Sequence, residues 1–556
     1  MIAILALAGG GALHWTLPLT LVIAAILVIL VFSYTQVISA HPEGGGSYAV
    51  AKASLGRRVA LLGTASLVVD YVLTVAVSLA VGAASVGSVF PSLSHHLVLV
   101  ALAALAILTV VNMFGIASSA ELLMVPATLF VLSILAVLVV APFHAKPVAV
   151  IGGYAGPIVG TKTLGLLLLL KAFANGCTAI TGVEAIANGV PAFKRPRART
   201  AQRTELALGV LLGVMLVGLA VLITTDGVVP RDNVTILAQL TAGAFGKGVV
   251  FYVANLSVAL ALGLAANTSF GRLPVLMSLL AKDGRMPHLF YLRAERPIYR
   301  YGIAALALAA ALLLVAVGAQ TERLIPLFTI GVFIGFTISQ VGLVRHWAST
   351  RPPKWRARAA INGVGATLTA IAVVVALLTK FLAGAWVVTL AIPLLIIMFA
   401  RTENYYTKAG ADLQLGLDPP HPTKRTAVMI IPVSAVDLLT ERAVTAGLSM
   451  SDRVIAVCVA GDEDERTRIK AAWVAWAPDV PLEVVIDPHR SLVRTLVKYI
   501  HGIEDDPAVI SVLIPEIVPR KWRHEILHNQ RGRLLASALR EETSVAVTTL
   551  PFHLHD

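Results

Sequence analysis

From Leu17 to Phe399 the chain repeats one pattern: apolar stretches of roughly 18 to 25 residues broken by short polar segments, the length a helix needs to cross about 30 Å of hydrocarbon. The stretches fall at about 17–36, 59–90, 97–114, 120–142, 164–190, 204–225, 246–268, 301–319, 324–345, 360–380 and 383–400. With 57% of residues hydrophobic and only 13% charged, a soluble core could not hide this much apolar surface. The pattern therefore predicts an all-α polytopic membrane domain whose outer faces take lipid as their solvent.

The net charge of +13 would suit nucleic acid, but its distribution points elsewhere. Before the division at Arg401 there are 27 Lys and Arg against 10 Asp and Glu, and after it 17 against 21, so the basic excess belongs to the membrane part. Four loops hold most of it: Lys52, Arg57 and Arg58; Lys194, Arg195, Arg197, Arg199 and Arg203; Arg272, Lys282, Arg285, Arg293, Arg296 and Arg300; Arg345, Arg351, Lys354, Arg356 and Arg358. The alternate loops hold only Lys146, Lys162, Arg231, Lys247, Arg323 and Lys380. The positive-inside rule makes the first set cytoplasmic, and with it everything after Arg401. No nucleic-acid partner is implied.

Composition divides the chain into a membrane domain at 1–401 and a tail at 402–556. In the tail, short Val- and Ile-rich runs (Ala427 to Val433, Arg453 to Ala460, Leu482 to Ile486, Val509 to Pro515, Ser544 to Pro551) alternate with helical patterns such as Ala435 to Ala446 and Lys521 to Leu539. That alternation predicts a cytoplasmic α/β domain built on a parallel sheet. At the other end, Met1 to Ala8 is too short to cross and lacks the charged start of a signal peptide. It reads as the outer half of a helix that begins upstream, which would give a parent chain twelve spans with both ends inside. Cys177 and Cys458 make neither a disulfide framework nor a metal site and read as small buried hydrophobes. No cofactor and no enzymatic chemistry are implied.

Ionisable groups deep in a span are costly and are read as functional. Asp70 lies about twelve residues from the inner end of its span, roughly 18 Å, close to the bilayer centre. Asp70, Thr74 and Ser78 recur at helical spacing with Tyr71 beside them, so one face carries a column of oxygens, the ligands that replace water around a hard alkali cation. The plainer reading of Thr74 and Ser78 is that each bonds back to its own helix.

A second acid, Glu184, follows Ala172-Phe173-Ala174-Asn175-Gly176-Cys177-Thr178-Ala179-Ile180-Thr181-Gly182-Val183. Glycines and threonines around an acid suggest a broken helix, whose freed carbonyls and half-helix ends bind ions. Thr181 and Glu184, at i and i+3, are expected on one side of it; the plainer reading is a close helix contact through Gly176 and Gly182. Lys171 lies far enough outward to reach the interface. Gly44-Gly45-Gly46-Ser47 reads as a flexible turn before a short amphipathic helix.

Several motifs together resemble the amino acid, polyamine and organocation superfamily, and within it the KimA-type potassium importers. They are Pro42 to Tyr48, Asp70-Tyr71 with Thr74 and Ser78, Thr181 to Ala185, Val190 to Lys194, and the α/β tail. The resemblance implies a LeuT-like fold of inverted five-helix repeats plus two further helices, here with the first helix truncated. It implies alternating-access import of potassium coupled to protons, with Asp70, Tyr71, Thr74, Ser78, Thr181 and Glu184 lining the pathway. It also implies a tail that forms a homodimer and responds to cyclic di-AMP. Where the family offers a tyrosine hydroxyl after Leu324, this chain has Phe328. The tail resembles universal stress proteins, but Ile514-Pro515-Glu516-Ile517-Val518-Pro519, read as following the fourth strand, has no glycine to cradle phosphate, which argues for docking or regulation rather than ATP binding.

Two other readings fit the sequence. One is an amino acid permease of the same superfamily, whose substrate carboxylate would sit on backbone N–H groups of a broken first helix. The other is an inactive or sensory truncated chain whose working part is the tail.

Overall fold

The computed structural model describes residues 1–44, 46–115, 120–144, 160–161, 163–231, 234–292, 299–381, 384–489, 491–503, 509–519 and 530–554. They form two compact units, Met1–Leu415 and Gly416–Asp556. In the first, helices run α1 (Ile2–Ala6), α2 (Thr16–Ala40), α3 (Gly46–Ser54), α4 (Arg57–Val89), α5 (Leu97–Met113), α6 (Ala120–His144), α7 (Leu166–Gly176), α8 (Glu184–Asn188), α9 (Arg197–Thr225), α10 (Ile236–Phe245), α11 (Val249–Lys282), α12 (Arg300–Val317), α13 (Thr321–Thr350), α14 (Trp355–Lys380) and α15 (Ala385–Asp412). Among the described residues, 11 helical segments are long and apolar enough to cross a membrane. The chain is a multi-pass membrane protein, and its α/β unit follows the last span on the side marked cytoplasmic by the loop charges.

The spans are not equivalent. In its most apolar window α13 is 78% buried, whereas the window that includes α5 is 11% buried and faces lipid. α13 is thus the axis around which the others pack, and α4 and α14 lie along it.

Arg401 is not where the first unit ends. α15 runs on to Asp412 because its extension is pinned: Glu403 pairs with Arg57 at the start of α4 and with Arg285 Nε, 3.6 Å away, beyond the end of α11. Tyr406 stacks on His288 with ring centroids 4.3 Å apart. The two units therefore divide after Leu415, although composition changes at 401.

In the second unit, β1 (Ala427–Pro432), β2 (Arg453–Ala460), β3 (Leu482–Ile486), β4 (Val509–Val518) and β5 (Ala546–His553) form one parallel sheet in the order β3-β2-β1-β4-β5. Between them lie α16 (Leu438–Met450), α17 (Glu463–Trp476), α18 (Leu492–His501) and α19 (Gln530–Glu542). Alternate residues of β1 feed two cores: Val428 and Ile430 pack with Leu496 and Leu535, Met429 and Ile431 with Val444 and Trp473. Helices thus cover both faces, as parallel sheets require. Asp437 caps α16 by accepting from the Thr440 N–H, and Asp462 caps α17 by accepting from that of Glu465.

One expectation here needs correction. The fourth strand, expected at Val509 to Pro515, runs on to Val518, so residues 516–518 are strand and not loop, paired with β5 from Pro551 to His553. β1 pairs with β4 only as far as Val512, so one edge is unpaired beyond it, where Pro515 can sit although it lacks an N–H. The predicted helix from Lys521 begins outside the described residues; its described part starts at Gln530.

Candidate functional site

The helix that carries Glu184 is broken where its glycines suggest. α7 ends at Gly176, Cys177–Ile180 forms a single 3-10 turn, and α8 restarts at Glu184. Thr181 is extended (φ −71°, ψ 151°) and Gly182 has φ +100°, a conformation that only glycine adopts without strain. The break undoes the expected pairing of Thr181 with Glu184, since residues 181–183 are not helical and the i, i+3 rule does not hold across them. Thr181 instead donates its hydroxyl to the Thr178 carbonyl at 2.9 Å and keeps its lone pairs free to accept.

The glycine-rich turn before α3 is not the flexible hinge its composition suggests. Gly44 has φ +81°, and a Cβ there would lie 2.9 Å from Pro191 Cδ and 3.0 Å from the Asn188 carbonyl oxygen. The turn is wedged against the far side of the broken helix, which ties the Pro42 to Tyr48 motif to the Val190 to Lys194 motif. Gly45 lies outside the described residues. The wedge sets the start of α3 over Glu184: Glu184 Oε1 accepts from Ser47 Oγ at 2.8 Å and from the Ser47 N–H at 3.3 Å. A carboxylate at the first turn of a helix also gains from its partial positive charge.

Asp70 and Glu184 meet on one face of α13. A Cβ at Gly331 would lie 3.8 Å from both Cα and N of Asp70, and one at Gly335 would lie 3.7 Å from Glu184 Oε2 and 3.8 Å from Ser47 Oγ. The two glycines are four residues, or roughly 6 Å, apart along the helix, so the acids approach α13 about one turn from each other. Phe328 is buried one turn before Gly331 on this stripe and adds carbon where a hydroxyl would add a ligand.

The oxygen column on α4 has a property that the rest of that helix lacks. Thr64, Ser66 and Ser88 bond back to Ala60, Gly63 and Ala84 at 2.7, 2.9 and 2.9 Å. Among the described residues, Thr74 and Ser78 make no such bond, and Asp70 Oδ1 is buried without a partner. Tyr71 is buried next to Asp70. These oxygens are therefore not engaged by the described residues in the way the other α4 hydroxyls are. Cys177, at the break, is free and buried, as is Cys458 in β2.

Sequence reasoning placed Arg272 in a cytoplasmic loop, and this is corrected. Arg272 lies inside α11, about ten residues or roughly 15 Å before its end, and donates to the Ala185 carbonyl at 3.1 Å. It joins the Gly189 N–H as a second donor to that carbonyl and so ties α11 to the end of the short α8. The remaining cytoplasmic cations still outnumber those of the alternate loops, so the orientation stands. Ser47, Gly331 and Gly335 were also passed over; the Gly-x-x-x-Gly spacing of the last two was the available signal.

Three similarities bear on this geometry. Residues 2–400 match the model of the amino acid permease family, and residues 424–552 match that of the KimA potassium transporter C-terminal domain. Over 559 aligned positions the chain is 36% identical to the potassium transporter KimA of Bacillus subtilis (strain 168), covering 100% of this chain and 92% of that protein.

Proposed function

The chain belongs to the family of the potassium transporter KimA, with a membrane part of the amino acid permease family, and we propose that it imports potassium across the cell membrane in symport with protons. It is a transporter and not an enzyme. Asp70, Tyr71, Thr74, Ser78, Thr181 and Glu184 are the proposed pathway residues. The observation that carries this reading is the convergence of Asp70 and Glu184 on Gly331 and Gly335, beside the Thr74 and Ser78 hydroxyls of α4, which donate to no backbone carbonyl among the described residues. Two acids at this depth need a positive partner, and either potassium or a proton can supply it. That choice is the chemical basis of coupling.

The break supports alternating access. A half-helix that hinges at Gly182 can move Glu184 relative to α13 while Asp70 stays on the continuous α4, as in transporters built from LeuT-like inverted repeats. Membrane lipid surrounds the spans. For the tail, with its strand order and its glycine-poor β4 end, we propose a fold like the universal stress proteins. Its role is homodimerisation and regulation, with cyclic di-AMP as effector, in place of ATP hydrolysis.

The test is rescue. Expression in a bacterium deficient in potassium uptake should restore growth at low external potassium, more strongly at acid than at alkaline external pH. Failure to rescue, together with uptake of a labelled amino acid, would overturn the assignment in favour of a permease.

A further inference from the structure

A third acid sits among the spans, and the pathway above gives it no task. Glu205 on α9 is 0% exposed, and neither carboxylate oxygen has a hydrogen-bond partner among the described residues. An unpartnered carboxylate enclosed in hydrocarbon persists only when a proton or a cation neutralises it. Its place on α9 favours the proton. Glu205 is about eight residues, roughly 12 Å, from the Arg197 end, which the loop charges make cytoplasmic, whereas Asp70 lies deeper.

α9 lies against α2. A Cβ at Gly209 would stand 2.6 Å from Val31 Cγ2, and Gln202 donates to the Thr35 carbonyl at 2.9 Å and to Ser39 Oγ at 2.6 Å. Glu205 falls between these two contacts on the same face of α9, three residues after one and four before the other. On α2, between the Val31 and Thr35 contacts, is Tyr34, also 0% exposed, its hydroxyl likewise without a hydrogen-bond partner among the described residues. Titratable groups on the elements packed against α9 are Tyr34 on α2, Glu184 on α8, and Glu121 and His144 at the two ends of α6; the Val190–Ala192 turn carries none.

We propose that Glu205 is the proton-exchange site on the cytoplasmic side of the ion pathway. A proton leaving Asp70 or Glu184 binds a lone pair of Tyr34 Oη while the hydroxyl proton of Tyr34 passes to a Glu205 carboxylate oxygen, so Tyr34 ends neutral. Glu205 then releases its proton to cytoplasmic water along the edge where Gln202 of α9 meets Ser39 of α2. The inference rests on the proton-coupled reading above and assigns that reading its exit step.

The test separates carrying potassium from releasing protons. Full-length protein in liposomes is assayed for exchange of rubidium tracer against potassium at equal pH, which needs no net proton release, and for net potassium uptake driven by an acid exterior. Glu205→Gln, which mimics the protonated acid, should exchange within about twofold of wild type but lose net uptake by roughly tenfold or more, the range of a positioned proton carrier. Tyr34→Phe, nearly isosteric, should move the two rates the same way. Net uptake by Glu205→Gln at the wild-type rate, or loss of both rates in parallel in both variants, overturns the assignment of Glu205. Wild-type uptake that ignores the pH gradient overturns the proton-coupled reading itself, a distinct result.

Discussion

Ser47 Oγ donates a 2.8 Å hydrogen bond to Oε1 of Glu184, joining the first turn of α3 to the start of α8. Through this bond the loop after the first full span holds the acid of the broken helix in place against α13. The Ser47 backbone N–H reaches the same oxygen, so the carboxylate is oriented by a side chain and by a helix terminus at once.

Removing that hydroxyl should weaken the site without destroying it. A hydrogen bond to a charged group contributes about 1.5–3 kcal/mol. Ser47→Ala should therefore raise the potassium concentration for half-maximal uptake roughly tenfold or more, at 1.4 kcal/mol per factor of ten. Ser47→Thr keeps the hydroxyl and should stay near wild type. An unchanged half-saturation concentration in Ser47→Ala, measured by initial uptake rates, would show that Glu184 is held by other contacts.

The glycines of α13 give a steric test. A Cβ at position 335 would make an ordinary contact, 3.7 Å from Glu184 Oε2, so Gly335→Ala should cost little. Gly335→Val adds two methyl groups in the same narrow space, and overpacking of this kind costs about 1–3 kcal/mol where neighbours cannot yield. Uptake should fall steeply between the two variants at equal membrane abundance. Equal activity of alanine and valine would mean that Glu184 does not lie against this helix during transport.

Topology can be read from a single reactive thiol. Burial, aided by the Glu465 charge, pushes the Cys458 thiol up to about 11, so little thiolate exists near neutral pH and the native cysteine should stay silent. With Ser449→Cys, on the exposed face of α16, a membrane-impermeant maleimide should label opened cells and not intact ones. Labelling of intact cells would place the tail outside.

The spans, the orientation, the strand-helix alternation and the mid-membrane acid on α4 were legible because each depends on local pattern: apolar length, loop charge, residue period. What was not legible depends on which distant segments touch. Arg272 reads as one more cytoplasmic cation until α11 proves long enough to carry it back to the Ala185 carbonyl. Gly44 reads as flexible until Pro191 is found against it. Thr181 and Glu184 were paired by a helical rule that their own glycine breaks. Pro515 reads as the end of the fourth strand, yet an unpaired edge lets β4 run past it to Val518.

The central claim is that Asp70 serves as a cation ligand, its buried Oδ1 having no hydrogen-bond partner among the described residues. Asp70→Asn keeps the shape and one acceptor oxygen and removes the charge. Glu184→Gln should impair uptake as well, shifting its pH dependence more than its cation preference if Glu184 is the main proton carrier. The most direct measurement is the initial rate of potassium uptake by Asp70→Asn in a strain deficient in potassium uptake, at membrane abundance matched to wild type. The account predicts a properly inserted protein with no potassium accumulation; accumulation at the wild-type rate would contradict it.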